Sequence, residues 1–122
     1  MAKLRYANSK QASRRYIAGN MYRFLPAAFA ELKDAAEWYE EKNEGLGFAL
    51  TAEFNSRLQQ ALRLPKSGSL ASKDIDGIEI RRFRLRRFQA YAILLASVDG
   101  IPTVIAFEHS SRRPGYWRRR LK

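Results

Sequence analysis

Two stretches of the chain carry apolar residues at the spacing of an amphipathic helix. Residues 26–43 begin with a proline that suits a first helical position. Their predicted buried stripe consists of Phe29, Leu32, Ala36 and Tyr39. Residues 46–64 carry a second stripe, made of Leu50, Phe54, Leu58, Ala61 and Leu62. Because Asn43 and Gly45 leave only a short link, we expect the two helices to form an antiparallel hairpin.

Four other stretches have the patterns of strands. Residues 22–25 are a short alternating segment, and residues 78–87 alternate imperfectly and are rich in arginine. Residues 88–98 are almost continuously apolar, which is typical of a central strand covered on both faces. Residues 103–109 form the last predicted strand, and Asp99-Gly100 before it is a strong hairpin signal.

This order of elements predicts an α+β fold. The helical hairpin should pack on one face of a mainly antiparallel four-stranded sheet, with a short C-terminal helix or tail. The arginines should lie on the other face and its rim. Residues 65–77 have the composition of a loop.

A single domain is expected over residues 21–122. Residues 1–20 are basic, contain no acid and lack an apolar periodicity, so we expect an N-terminal extension that adds little to the fold. A basic arm that orders on a partner is the alternative.

Charge is unevenly distributed along the chain. The formal net charge is +11, of which residues 78–122 contribute +8 (eleven basic and three acidic residues) and residues 1–25 contribute +6. Residues 26–64 carry −3. Such a field attracts nucleic acid, an anionic surface or an acidic protein. With no cysteine and one histidine, neither a disulfide nor a metal site is expected, and no cofactor is implied. No apolar run is long enough to cross a membrane, so we expect a soluble, cytoplasmic protein.

The candidate chemistry is concentrated in "EHSSRRPGYWRRR", residues 108–120. His109 is the only side chain whose ordinary pKa is near neutrality. Arg112 and Arg113 could neutralise a phosphate with planar, two-point hydrogen bonding, and Tyr116 could stack on a base or donate a proton. The remaining arginines that could extend an anion-binding or RNA-binding face are Arg81, Arg82, Arg86 and Arg87.

Taken together and in order, these segments resemble the RelE/ParE superfamily of toxins from type II toxin–antitoxin, or plasmid-stabilisation, modules. The resemblance covers residues 22–120 and is carried by four stretches. These are "YRFLPAAFAELKDAAEWYEEKN", "GFALTAEFNSRLQQALRLP", "IEIRRFRLRRFQAYAILLASVDG" and "VIAFEHSSRRPGYW". It implies the fold predicted above and a toxin that a cognate antitoxin neutralises, with oligomerisation through that antitoxin.

The resemblance leaves two activities open. RelE-like members cleave messenger RNA on the ribosome without a metal, whereas ParE-like members poison DNA gyrase and are not enzymes. For the RelE-like activity the resemblance implies His109, Arg113 and Tyr116 as the catalytic residues, with Arg82 and Arg87 as further candidates. The closing histidine and arginines are more RelE-like, and the two long helices are more ParE-like. A non-catalytic or inactive RNA-binding or partner-binding module on the same fold is the alternative.

Structural roles compete with each of these assignments. By the two-residue period of a strand, His109 shares the face of Ile105 and Phe107 and could be a packing residue at the rim of the core. Trp117 is expected to pack at the end of the sheet, and residues 118–120 to form a solvated tail. The aromatic residues of the first helix are expected to belong to the core or to an antitoxin groove: Phe29, Trp38 and Tyr39.

Overall fold

Two helices pack on one face of a six-stranded mixed sheet in the computed structural model, which describes residues 12–73 and 77–121. The helices are α1 (Pro26–Lys42) and α2 (Leu46–Arg63). The strands are β1 (Ser13–Ile17), β2 (Asn20–Phe24), β3 (Ser69–Lys73), β4 (Glu79–Arg84), β5 (Tyr91–Val98) and β6 (Ile101–His109). Short 3-10 turns cover Pro65–Ser67 and Arg118–Leu121.

The sheet has the strand order β1-β2-β6-β5-β4-β3. Only β2 and β6 run parallel, and the other neighbours are antiparallel. The α+β class is confirmed, but the expectation of a four-stranded sheet is wrong, because β1 and β3 add one strand at each edge. The β5–β6 turn at Asp99-Gly100 is confirmed, and both of its residues have the positive φ that this hairpin type requires.

Strand β1 lies inside the segment that we expected to remain outside the fold. It pairs with β2 over five residues through a turn at Ala18-Gly19. The guanidinium of Arg15 lies 4.6 Å from the ring centre of Phe29 and 5.4 Å from that of Phe24. Cation–π contacts of Arg15 with Phe24 and Phe29 therefore help to hold β1 on the fold, although the segment has no apolar stripe. The expectation is therefore wrong for residues 13–20, and residues 1–11 lie outside the described residues.

Strand β3 occupies part of the predicted loop. Its sequence, SLASK, is mostly small and polar, and its pairing with β4 shifts register between Leu70 and Ser72. An edge strand obtains its hydrogen bonds from one neighbour and needs little apolar burial of its own. Composition alone therefore favoured a loop.

The two helices form the predicted hairpin. In α2, Leu50, Phe54, Leu58 and Ala61 are buried as expected. In α1 the buried residues are Ala28, Leu32 and Ala35, so the buried stripe is rotated by about one position and Phe29 is 40% exposed. None of the helices in the described residues is long and apolar enough to cross a membrane.

The sheet is covered on both faces. On the helix side, Phe107 of β6 contacts Phe54 of α2 edge-to-face at 5.4 Å. On the other face, β5 buries Ala92, Leu94, Ala96 and Val98. We expected arginines on this face. The expectation is wrong for the centre of the face, where the side chains of β5 are buried and apolar. Trp117, itself 1% exposed, bonds to Glu108 on this side.

Candidate anion-binding edge and cleft

Residues 110–121 form a strap that follows β6 and turns back toward the helices. Successive tight turns fold it, with backbone N–H groups of Arg112, Tyr116 and Arg118 donating to carbonyls three residues earlier. Gly115 has φ +76°, a conformation that glycine adopts without strain. Two carboxylates, Glu31 on α1 and Glu108 on β6, hold the strap to the rest of the fold.

Glu31 receives hydrogen bonds from three residues, two of them in the strap and one in β6. Arg120 donates to its two oxygens at 2.8 and 2.9 Å, in two-point geometry. The hydroxyl of Tyr116 donates at 2.7 Å and the backbone N–H of Phe107 at 3.0 Å. The side chain of Glu31 is only 15% exposed, so water is largely excluded from its carboxylate. The guanidinium of Arg120 compensates the charge there.

This cluster forms where β6 loses its neighbouring strand. Strand β2 follows β6 only as far as Val104, and the pairing of β6 with β5 then skips Ile105, which makes a bulge. Beyond that point, Glu31 accepts from the N–H of Phe107 and Arg120 donates to the carbonyl of Ile105 at 3.0 Å. The ion pair therefore satisfies backbone groups that a strand would otherwise pair.

The same contacts shift two pKa values. Burial, together with the hydrogen bond and negative charge of Glu31, raises the pKa of Tyr116 well above its ordinary value. Burial alone would lower the pKa of Arg120, but the hydrogen bonds and charge of Glu31 outweigh it, and the pKa is raised overall. Tyr116 is therefore held as a neutral donor and Arg120 as a cation.

Glu108 is the second anchor of the strap. Arg82 of β4 donates to its oxygens at 2.8 and 3.3 Å, and the indole N–H of Trp117 donates at 3.0 Å. The Glu108 side chain is 12% exposed. The prediction that Trp117 is a packing residue is confirmed.

His109 ends β6 on the helix side of the sheet. Its ring stands edge-to-face on Tyr91, 4.8 Å between ring centres. Nδ1 accepts from the backbone N–H of Ser111 at 3.0 Å, and the Ser111 hydroxyl lies 2.8 Å from the same atom. Because a backbone N–H can only donate, Nδ1 carries no hydrogen, and the neutral ring has its hydrogen on Nε2.

A cleft of about 360 Å³ opens between α1 and the ends of β5 and β6. His109 and Arg112 border it on the sheet side, and Asp34 on the helix side. Its other walls are Glu31, Ala35, Trp38, Tyr39, Tyr91 and Phe107. The cleft thus combines aromatic walls with one arginine and one histidine that can donate hydrogen bonds.

The predicted catalytic residues lie near one another along the chain, but their side chains have different surroundings. Arg113 is exposed, and in the described part of the chain its side chain has no hydrogen-bond or ion-pair partner. Tyr116 is committed to Glu31, and Arg112 lies over its ring at 4.0 Å. No hydrogen bond or ring contact among the described residues joins His109 to Arg113 or Tyr116. Arg112, rather than Arg113, shares the cleft with His109.

The other predicted anion-binding arginines divide into two groups. Arg81 is bound to Glu79 at 2.7 Å and to a backbone carbonyl, and Arg82 is bound to Glu108. Arg86 and Arg87 are exposed, and their backbone N–H groups donate to Glu53 of α2. In the strap, Arg118 and Arg119 are exposed as expected, whereas Arg120 is not a solvated residue.

Sequence reasoning missed Glu31 as the centre of the site. Its position beside the apolar stripe of α1, one residue before Leu32, is a signal that could have been used, because a carboxylate there must find partners. Asp34 and Tyr91 were also missed as residues of the cleft. Nothing local in the sequence connects either of them to the strap.

Comparison with known proteins does not assign this arrangement to a family. No protein-family model matches the sequence, and neither a curated protein nor a solved structure matches it. Within residues 12–73 and 77–121, no group of histidine and acidic side chains could hold a metal ion.

Proposed function

We propose that the chain is the toxin of a type II toxin–antitoxin module, similar to the RelE/ParE superfamily, and that it arrests growth by binding its target rather than by cleaving RNA. The order β2, α1, α2, β4, β5, β6 supports the first part, because this is the sequence of elements on which the resemblance rests. In ParE-like toxins the target is DNA gyrase, and this is the target we propose here.

We choose between the two activities on one observation. The side chains that RNA cleavage would need are already hydrogen-bonded within the fold. A general base must offer a free lone pair to the 2′-hydroxyl, and a general acid must give its proton to the leaving oxygen. Nδ1 of His109 accepts from Ser111. The hydroxyl of Tyr116 donates to Glu31, and burial together with this carboxylate raises the pKa of Tyr116. Both groups therefore make hydrogen bonds within the protein and are not free to exchange a proton with RNA.

RNA cleavage is the second candidate, and one observation favours it. His109 and Arg112 border the same cleft of about 360 Å³, whose aromatic walls could hold a base. Nε2–H of His109 and the guanidinium of Arg112 could then both donate to a phosphate. This activity would require Ser111 to release Nδ1 when the histidine acts as a base.

Regulated expression tests the toxin proposal. The full chain should arrest growth. A small acidic protein encoded beside it is the proposed antitoxin, and its co-expression should restore growth. Normal growth at a high level of soluble, folded chain would instead support the non-catalytic module. Gyrase supercoiling and messenger RNA integrity, measured in the arrested cells, separate the two candidate activities.

A further inference from the structure

The side of the β1–β2 hairpin that faces away from α1 carries two arginines directly opposite each other. Arg14 of β1 and Arg23 of β2 are paired residues in the antiparallel register, so their side chains share one face. Arg15 and its partner Tyr22 point to the other side, where Arg15 covers Phe29 of α1. Arg14 is exposed and Arg23 is half-buried.

Among the described residues, no acidic side chain compensates the charge of this arginine pair. Neither guanidinium has a hydrogen-bond or ion-pair partner in the part of the chain that the structure describes, and the first acidic residue of the sequence is Glu31. Like charges directly opposite in a ladder destabilise the pairing of the strands, since paired Cβ atoms lie only about 5 Å apart. An anion placed between the two guanidinium groups would reverse this effect.

An aromatic ring lies next to the pair. Tyr16 is two residues beyond Arg14 on the same face, about 6.6 Å along the strand. It is 68% exposed and makes no ring contact with another described residue. In the strap, by contrast, the ring of Tyr116 is already covered, because Arg112 and Arg120 both lie over it.

We propose that the outer side of the β1–β2 hairpin, made of Arg14, Tyr16 and Arg23, binds single-stranded nucleic acid. The two guanidinium groups hold one backbone phosphate, and Tyr16 stacks on a neighbouring base. An acidic peptide would satisfy the charges but gives no role to the exposed ring. The inference stands independently of the proposed toxin activity, because it uses neither the strap nor the cleft.

Fluorescence anisotropy with short labelled single-stranded RNA, single-stranded DNA, duplex DNA and poly-glutamate tests this surface in the full chain. The test variant is Arg14→Gln/Arg23→Gln. The control is Arg63→Gln/Lys66→Gln, which makes the same change in net charge at the exposed last residue of α2 and in the 3-10 turn that follows it. A third variant, Tyr16→Leu, removes the ring and leaves every charge in place.

The test variant should bind a single strand about tenfold more weakly than the control, and the slope of log K against log salt should fall by about 0.7, because one phosphate contact is lost. Tyr16→Leu should weaken binding by about fivefold or more. The melting temperature of the test variant should equal or exceed that of the wild type, because a repulsive pair has been removed. Whether RNA or DNA binds more tightly then identifies the natural strand.

Several results would overturn the inference. These are no binding of a single strand by the wild type, equal weakening in the test and control variants, or a preference for duplex. Binding of poly-glutamate with the same dependence on the arginine pair would assign the surface to an acidic protein. A clear loss of melting temperature in the test variant would show that the arginines stabilise the hairpin.

Discussion

Glu31 and Arg120 form a two-point ion pair between residues 89 positions apart, with nitrogen–oxygen distances of 2.8 and 2.9 Å. The pair joins the first helix to the last turn of the described chain and closes the edge of β6 beyond Val104. Much of the positive charge in the strap is therefore part of the fold. The residues left for an external anion are the exposed Arg113, Arg118 and Arg119. Arg112 also borders the cleft, but its guanidinium lies 3.8 Å from a carboxylate oxygen of Glu31.

Replacing Arg120 should destabilise the protein strongly. Arg120→Ala leaves the carboxylate of Glu31 without its main cationic partner and frees the carbonyl of Ile105, so we expect a loss of about 2–4 kcal/mol in the free energy of unfolding. Arg119→Ala is the control, because its exposed side chain should change stability by less than about 0.5 kcal/mol. Urea denaturation of both variants measures the difference, and equal stabilities would refute a structural role for the ion pair.

Tyr116→Phe should lower stability by about 1 kcal/mol, since Glu31 loses one donor but keeps Arg120 and the N–H of Phe107. Growth arrest should survive this change. Loss of arrest in a folded Tyr116→Phe protein would show that the hydroxyl takes part in the activity.

Stability should also depend on pH in the alkaline range. The pKa of Tyr116 is raised in the folded state, so the folded protein holds its proton more tightly than the unfolded chain does. This contribution is complete below the ordinary tyrosine pKa of about 10 and is lost as the pH rises further. Burial raises the pKa of Tyr22 and Tyr91 as well, so the wild type is compared with Tyr116→Phe. The variant should lose stability less steeply above that pH, and identical slopes would contradict the assignment.

Substitutions of the neighbouring residues Arg14 and Arg15 test how β1 contributes to stability. Arg15→Ala removes a guanidinium from the rings of Phe24 and Phe29 and should cost about 0.5–2 kcal/mol. Arg14→Ala should leave stability unchanged or raise it slightly. Starting the chain at Met21 should accordingly lower the melting temperature by more than Arg15→Ala does. A shortened chain that melts with the full one would restore the view that the segment is dispensable.

Association with the acidic antitoxin that we propose as the partner should depend on salt. The net charge of +8 over residues 78–122 should accelerate encounter, and added salt should reduce the association rate much more than it changes the dissociation rate. Surface plasmon resonance at several salt concentrations measures both rates. An association rate that does not respond to salt would show that electrostatic attraction does not drive the encounter.

The sequence predicted elements wherever the signal was local. The stripe Leu50, Phe54, Leu58 and Ala61 in α2 and the turn Asp99-Gly100 are examples, because a period or a dipeptide specifies each. It failed for β1 and β3, whose strands depend on a neighbour for their hydrogen bonds and carry little apolar pattern. It also failed for the site, since Glu31 is a partner of Arg120 and Tyr116 only through tertiary structure. The composition established the charge of the strap but not which arginines the fold would use.

Messenger RNA on translating ribosomes, assayed beside DNA supercoiling by purified gyrase, tests the central proposal most directly. The wild type and His109→Gln, whose amide oxygen can still accept from Ser111, are compared in both assays. We expect intact messenger RNA and inhibition of gyrase by both proteins. Cleavage of ribosome-bound messenger RNA by the wild type that disappears in a folded His109→Gln variant would contradict it and establish His109 as a catalytic residue.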